Sequence, residues 1–214
     1  MRPRPQIVLL GLAAVLVVAF VLVVTLDGPA THSPAGSPTG ATTDVPSASG
    51  FDGAALPGDV LAPEFTLTDQ NGHLISLADY RGQVVVLAFL YSTCGPTCIV
   101  IAQQIRGALD ELPRPVPVLF VSADPAADTP AHVARFLQTV SLAGRVRYLT
   151  GPVSQLRPLW RAYRITPAVS DPAAFDRYAS VLLLDGRGRE RVLFEEEQLT
   201  PESLAHDIGK LQAG

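Results

Sequence analysis

Val84-Val85-Val86-Leu87-Ala88-Phe89-Leu90-Tyr91-Ser92-Thr93-Cys94-Gly95-Pro96-Thr97-Cys98 decides the fold. Residues 84 to 90 form an unbroken apolar run rich in β-branched side chains, too short to cross a membrane and suited to a strand buried on both faces. After it the period changes: Cys98, Ile101, Ala102, Ile105, Ala108, Leu109 and Leu112 recur with the spacing of one helix face. The chain has 2 cysteines, and both sit where a central strand turns into a helix, Cys98 on the buried stripe. A helix N-terminus presents unpaired N–H groups and a partial positive charge, which favours a thiolate over a thiol. Cys94 is therefore a candidate nucleophile or soft-metal ligand. Cys98, one turn on, is the candidate resolving thiol or second ligand. The alternative is a structural disulfide, although a bridge closing so short a loop removes little entropy from the unfolded chain.

Outward from this unit, FTLT and LISL flank Asp69-Gln70-Asn71-Gly72, an Asn-Gly hairpin signal. On the other side VPVLFVS at 116 to 122 reads as the second strand of a strand-helix-strand unit, hence a parallel pair with a right-handed crossover. Thr129-Pro130 starts a helix running to about Val140, because a hydroxyl N-cap followed by proline at the first position costs no useful hydrogen bond. VRYL at 146 to 149 is a short strand, VSQLRPLWRAY at 153 to 163 an amphipathic helix, and ASVLLLD at 179 to 185 with RVLF at 191 to 194 a second hairpin. Thr200-Pro201 opens a last helix carrying Leu204, Ile208 and Leu211. The order is that of an α/β, thioredoxin-like fold with an N-terminal β-hairpin extension: a mixed sheet with helices on both faces.

The 214 residues suffice for one such domain with additions, and 48% are hydrophobic. Residues 7 to 26, IVLLGLAAVLVVAFVLVVTL, are uncharged and long enough to span a bilayer as a single transmembrane helix. Arg2 and Arg4 precede the segment and Asp27 follows it, which predicts a cytoplasmic N-terminus (1–6) and an extracytoplasmic domain held at the cell membrane. A cleaved signal peptide is the alternative, but the run exceeds the usual apolar core of such peptides. Residues 27–55 are dominated by Pro, Ser, Thr, Gly and Ala, a disordered linker that leaves 56–214 as the folded domain. A net charge of −4 with no Lys/Arg run gives no footprint for nucleic acid.

APEFTLTDQNGHLISLADYRGQVVVLAFLYSTCGPTC, followed by VSADPAADTPAHVARFL, resembles the Sco/SenC family of copper chaperones and thiol-disulfide proteins that assist cytochrome c oxidase assembly. The likeness covers roughly residues 59 to 194 and is sharpest at Cys94, Cys98 and the loop from Asp124-Pro125 to Asp128-Thr129-Pro130. It implies a Cys-x-x-x-Cys dithiol that holds Cu(I), exchanges disulfides, or does both. It also implies a protein partner, either a copper-site oxidase subunit or another dithiol protein, met by a membrane-anchored monomer. Two positions depart from the family: Gly95 and Ile99 stand where proline usually follows each cysteine. The family's third ligand, a histidine eight residues before Asp185, is replaced by Arg177. Two thiolates suit Cu(I), whereas loss of the imidazole disfavours Cu(II). Arg177 is a candidate for stabilising the Cys94 thiolate, and His132, beside the Asp-Thr-Pro loop, is the candidate substitute ligand. A general thiol-disulfide oxidoreductase that binds no copper is the second functional reading. Asp128 is expected to cap the following helix or to touch the site, and Trp160 to be core.

Overall fold

The protein is described here from a computed structural model covering residues 49–168 and 170–214, without the side chains of Arg177 and Tyr178. The expected N-terminal tail (1–6), membrane segment (7–26) and linker as far as residue 48 lie outside the described residues. Among those described, no helix is long and apolar enough to cross a membrane.

Eight strands form one sheet: β1 (Ala54–Ala55), β2 (Thr66–Asp69), β3 (Leu74–Ser76), β4 (Val85–Leu90), β5 (Val118–Ser122), β6 (Arg147–Thr150), β7 (Ser180–Leu184) and β8 (Glu190–Glu195). Their order across the sheet is β1-β8-β7-β4-β5-β6-β2-β3. The helices are α1 (Pro96–Glu111), α2 (Pro130–Thr139), α3 (Val153–Ala162), α4 (Pro172–Tyr178) and α5 (Pro201–Ala213). β4, β5 and β6 run parallel at the centre, and β7 lies antiparallel to β4. Every residue of β4 is buried, the outcome expected of an apolar run flanked on both edges and both faces.

Register assigns the two faces. Ala88 pairs with Phe120 and Phe120 with Tyr148, so these three share one face. Phe136 of α2 meets the Tyr148 ring edge-on there, 6.4 Å between centroids. Phe89 points to the opposite face, where its ring lies 5.2 Å from Tyr163 at the end of α3. Helices thus cover both faces, and the chain has the expected thioredoxin-like α/β architecture. Gly107, inside α1, lets the helix approach the start of α5: a Cβ there would stand 2.7 Å from Pro201.

Three features go beyond the sequence reading. The β2–β3 hairpin is part of the main sheet, because β2 pairs antiparallel with the outer edge of β6. The Gln70 side chain continues that pairing, accepting from Tyr148 N at 2.7 Å and donating to the Val146 carbonyl at 3.2 Å. The buried Asp69 carboxylate closes the turn by accepting from the amides of Asn71 and His73, and it binds Arg147 of β6 at 2.9 Å. Burial pushes its acidity toward higher pH, but the two amides and His73 outweigh that and hold Asp69 below the usual carboxylate range.

The second feature is that ordered structure begins before residue 56. β1 pairs with β8, and Phe51 is buried in the core. The Asp207 carboxylate, fully buried in α5, accepts from Asp52 N at 2.9 Å and Gly53 N at 3.0 Å. A polar linker sequence is thereby ordered through its backbone, which composition does not report. The third feature is α4, a helix where a loop was expected. Asp171 caps it by accepting from Ala174 N at 3.0 Å, with Pro172 next.

Asp207→Ala leaves the Asp52 and Gly53 amides without their acceptor. The expected loss is about 2 kcal/mol of unfolding free energy, measured by urea titration monitored at Trp160.

Candidate functional site

β4 ends at Leu90, and Tyr91-Ser92-Thr93 turns the chain into Cys94, whose amide donates to the Tyr91 carbonyl at 3.0 Å. Gly95 is the N-cap of α1 and supplies no side-chain cap; Pro96 at the first position has no N–H to satisfy. Cys94 therefore precedes an open helix N-terminus, and Cys98 lies inside its first turn. The two are joined as a disulfide with Cα atoms 5.8 Å apart. Cys98 has no exposed surface, whereas Cys94 keeps 7% exposure. Of the two, only Cys94 therefore retains any surface open to solvent.

The turn is held by Asp128. Its carboxylate accepts from Ser92 N at 2.6 Å, Ser122 Oγ at 2.5 Å and Tyr148 Oη at 2.9 Å. One buried side chain thus connects the cysteine turn to the end of β5 and to Tyr148 of β6. Asp128 does not cap α2; Thr129 does, accepting from His132 N at 3.2 Å. Burial raises the Asp128 pKa above its ordinary 3.8, opposed by hydrogen bonds from Ser122, Ser92 and Tyr148. Burial and the neighbouring carboxylate push the Tyr148 hydroxyl well above the usual phenol range, so it remains a donor. Trp160 adds a further brace, its indole N–H donating to the Ser122 carbonyl at 2.9 Å.

α4 closes the other side. Phe175 is buried with its ring edge-on to Tyr91, 5.2 Å between centroids. Next to it, Asp176 brings Oδ1 to 4.0 Å from Cys94 Sγ. Sequence reasoning missed this carboxylate because it missed the helix. The signal was present in Asp171-Pro172, the same cap-and-proline pair that marked α2 and α5. Burial raises the Tyr91 hydroxyl above the usual phenol range, reinforced by Asp176 and Asp124, so the rim of the site is acidic.

Arg177 follows Asp176 in α4, but its side chain lies outside the described residues. His132 is engaged elsewhere: its Nδ1 lies 2.8 Å from the Ala127 carbonyl, which can only accept, so Nδ1 carries the proton. That carbonyl also accepts from Ser92 Oγ at 3.5 Å, which places His132 one residue behind the cysteine turn. Among the described residues, no three His, Cys, Asp or Glu ligand atoms within 4.8 Å of one another gather at the cysteines; the one such group joins Asp52, His206 and Asp207.

The family model SCO1/SenC matches residues 54–213. The chain belongs to the SCO1/SenC family. This Sco domain is similar to "Protein SCO2 homolog, mitochondrial" of Bos taurus, 35% identical over 109 residues, which are 48% of this chain and 40% of that protein. The match therefore spans less than half of that relative's length. Among solved structures, BsSco, a member of the Sco family of cytochrome c oxidase assembly proteins in which a disulfide switch was identified, superposes with TM-score 0.61 at 20% identity, covering 72% of this chain and 94% of that one. Copper-bound ScoI of Bradyrhizobium japonicum gives TM-score 0.54 at 24% identity, covering 71% and 99%. At these identities the likeness establishes the shared fold.

Two outcomes test the Sco site. Because the folded state holds Asp128 protonated to a higher pH than the unfolded chain does, its contribution to stability is complete below about 3.8 and declines as pH rises through the raised value. Urea titrations across that range should show the wild type losing stability relative to Asp128→Asn. Separately, a carboxylate 4.0 Å from Sγ repels a thiolate there. Asp176→Asn should speed alkylation of reduced Cys94 at neutral pH by roughly fivefold.

Proposed function

We propose that this chain is a membrane-anchored, extracytoplasmic Sco protein whose Cys94–Cys98 dithiol reduces a disulfide in a protein target of cytochrome c oxidase assembly. The observation that carries this reading is the disulfide at the strand–helix turn, with Cys98 sealed inside and Cys94 keeping a small exposed remnant, 7%. In the reduced protein the Cys94 thiolate attacks one target sulfur, and the other target sulfur leaves as a thiolate. Cys98 then attacks Cys94 Sγ, which releases the second target thiolate and forms the intramolecular disulfide. Two electrons pass to the target, and a reducing dithiol partner restores the site. The apolar run at 7–26, with Arg2 and Arg4 before it and Asp27 after it, supports the anchor and the outward-facing domain.

Copper carriage is the second reading, and copper in it is cargo. It is favoured by two soft sulfur donors in one helical turn and by the fold shared with copper-bound ScoI. Only the reduced pair can bind, since neither sulfur of a disulfide is a thiolate. Asp176, near Cys94, is a hard oxygen donor and a poor replacement for the family's imidazole toward Cu(I).

The test uses the full chain in neutral detergent. In the reduced protein Cys94 should alkylate faster than Cys98, and Cys98→Ser should accumulate a mixed disulfide with a disulfide-bonded target peptide while Cys94→Ser does not. Equal, slow labelling of both cysteines overturns the assigned roles. Cu(I) titration against a competing chelator decides the second reading. Tight binding lost in the Cys94→Ser, Cys98→Ser double variant supports carriage, and Arg177→His should then tighten it. Weak binding, unchanged by those substitutions, leaves disulfide reduction as the function.

A further inference from the structure

A wide cleft of the described domain lies away from the cysteines. It encloses about 950 Å³ at the opposite edge of the sheet, among the residues leading into β4 and β5, the β7–β8 turn and the end of α5. The six residues of β4 separate it from the dithiol by roughly 20 Å. Five of its lining side chains are cationic, Arg114, Arg187, Arg189, Arg191 and Lys210, against one carboxylate side chain, Asp185. In a chain of net charge −4 this is a local reversal of sign.

Among the described residues, most of that charge is uncompensated. Arg191 pairs with Asp185 at 3.2 Å. Arg114, Arg189 and Lys210 donate to the backbone carbonyls of Gln212, Gly58 and Ser49, contacts that fix each head group without neutralising it. Arg187, at the exposed tip of the β7–β8 turn, is held through its backbone amide. Arg191 Nε is buried with no hydrogen-bond partner among the described residues. Lys210 Nζ also lies 4.7 Å from the centre of the Phe51 ring, which holds it at the wall of the cleft. Like charges held together repel unless an anion joins them, and planar guanidinium forks match the oxygens of a phosphate.

We propose that this cleft binds a phosphate-bearing anion, independently of the dithiol chemistry. The phosphate belongs either to a soluble anion or to an acidic phospholipid headgroup. The second source rests on the membrane anchor proposed above, since Phe51, near the end of the linker from that anchor, lines the cleft.

The full chain in neutral detergent is titrated calorimetrically with inorganic pyrophosphate. Saturable binding is expected, weakening as salt rises and falling at least about tenfold in Arg187→Glu, a turn-tip substitution that leaves the Cys94 alkylation rate unchanged. The same chain is then placed in phosphatidylcholine nanodiscs with or without phosphatidylglycerol. Hydrogen-exchange protection of residues 185–191 and 210–214 only with phosphatidylglycerol, and lost in Arg187→Glu, assigns the phosphate to the lipid. Pyrophosphate binding without such protection assigns it to a soluble anion. Absence of both responses, or equal responses in wild type and Arg187→Glu, overturns the site. Loss of the chain from the nanodiscs defeats the anchor instead, and the pyrophosphate titration then decides the cleft alone.

Discussion

A single buried carboxylate, Asp128, carries the geometry of the dithiol. Three strands converge on it: β4 through Ser92 N of the turn that follows it, β5 through Ser122 Oγ at its end, and β6 through Tyr148 Oη. Burying a carboxylate in apolar surroundings is costly, and the cost is tolerable because the partners are charge-assisted and fixed. The same bonds remove the freedom of the turn that presents Cys94. In the proposed exchange reaction, a thiol that must meet a partner sulfur in line gains from arriving pre-positioned, and this network would supply that.

Two opposing fields act on Cys94. The uncapped start of α1 favours negative charge on its sulfur, while Asp176 on α4, 4.0 Å away, disfavours it. In the disulfide the sulfur is neutral and the carboxylate costs nothing; on reduction, the charge it opposes is created. The next residue of the same short helix is Arg177, where the resemblance implied a histidine.

The sheet separates this chemistry from the basic cleft. Cys94 and Cys98 follow the carboxyl end of β4, where open α/β sheets place their sites, and the cationic cleft gathers at the amino end of the same strand beside the chain's entry into the domain. The fully buried strand β4 lies between them, so the proposed exchange and the proposed anion binding occupy opposite ends of the same strand.

Much of this was legible in the residue order. The period change at Cys98 defined α1, Thr129-Pro130 and Thr200-Pro201 marked two helix starts, and the Asn-Gly signal located the first hairpin, because each depends on local backbone chemistry that a few neighbouring residues determine. The burial of Cys98 followed from the same period. Tertiary structure alone decided the role of Asp128, which joins residues up to 36 positions apart, and the approach of Asp176 to Cys94 across 82. It also decided the pairing of β2 with β6 and the gathering of Arg114, Arg187 and Lys210 into one cleft. Such contacts carry no local period: they arise where separate elements meet after the sheet is assembled, and sequence distance holds no record of that proximity.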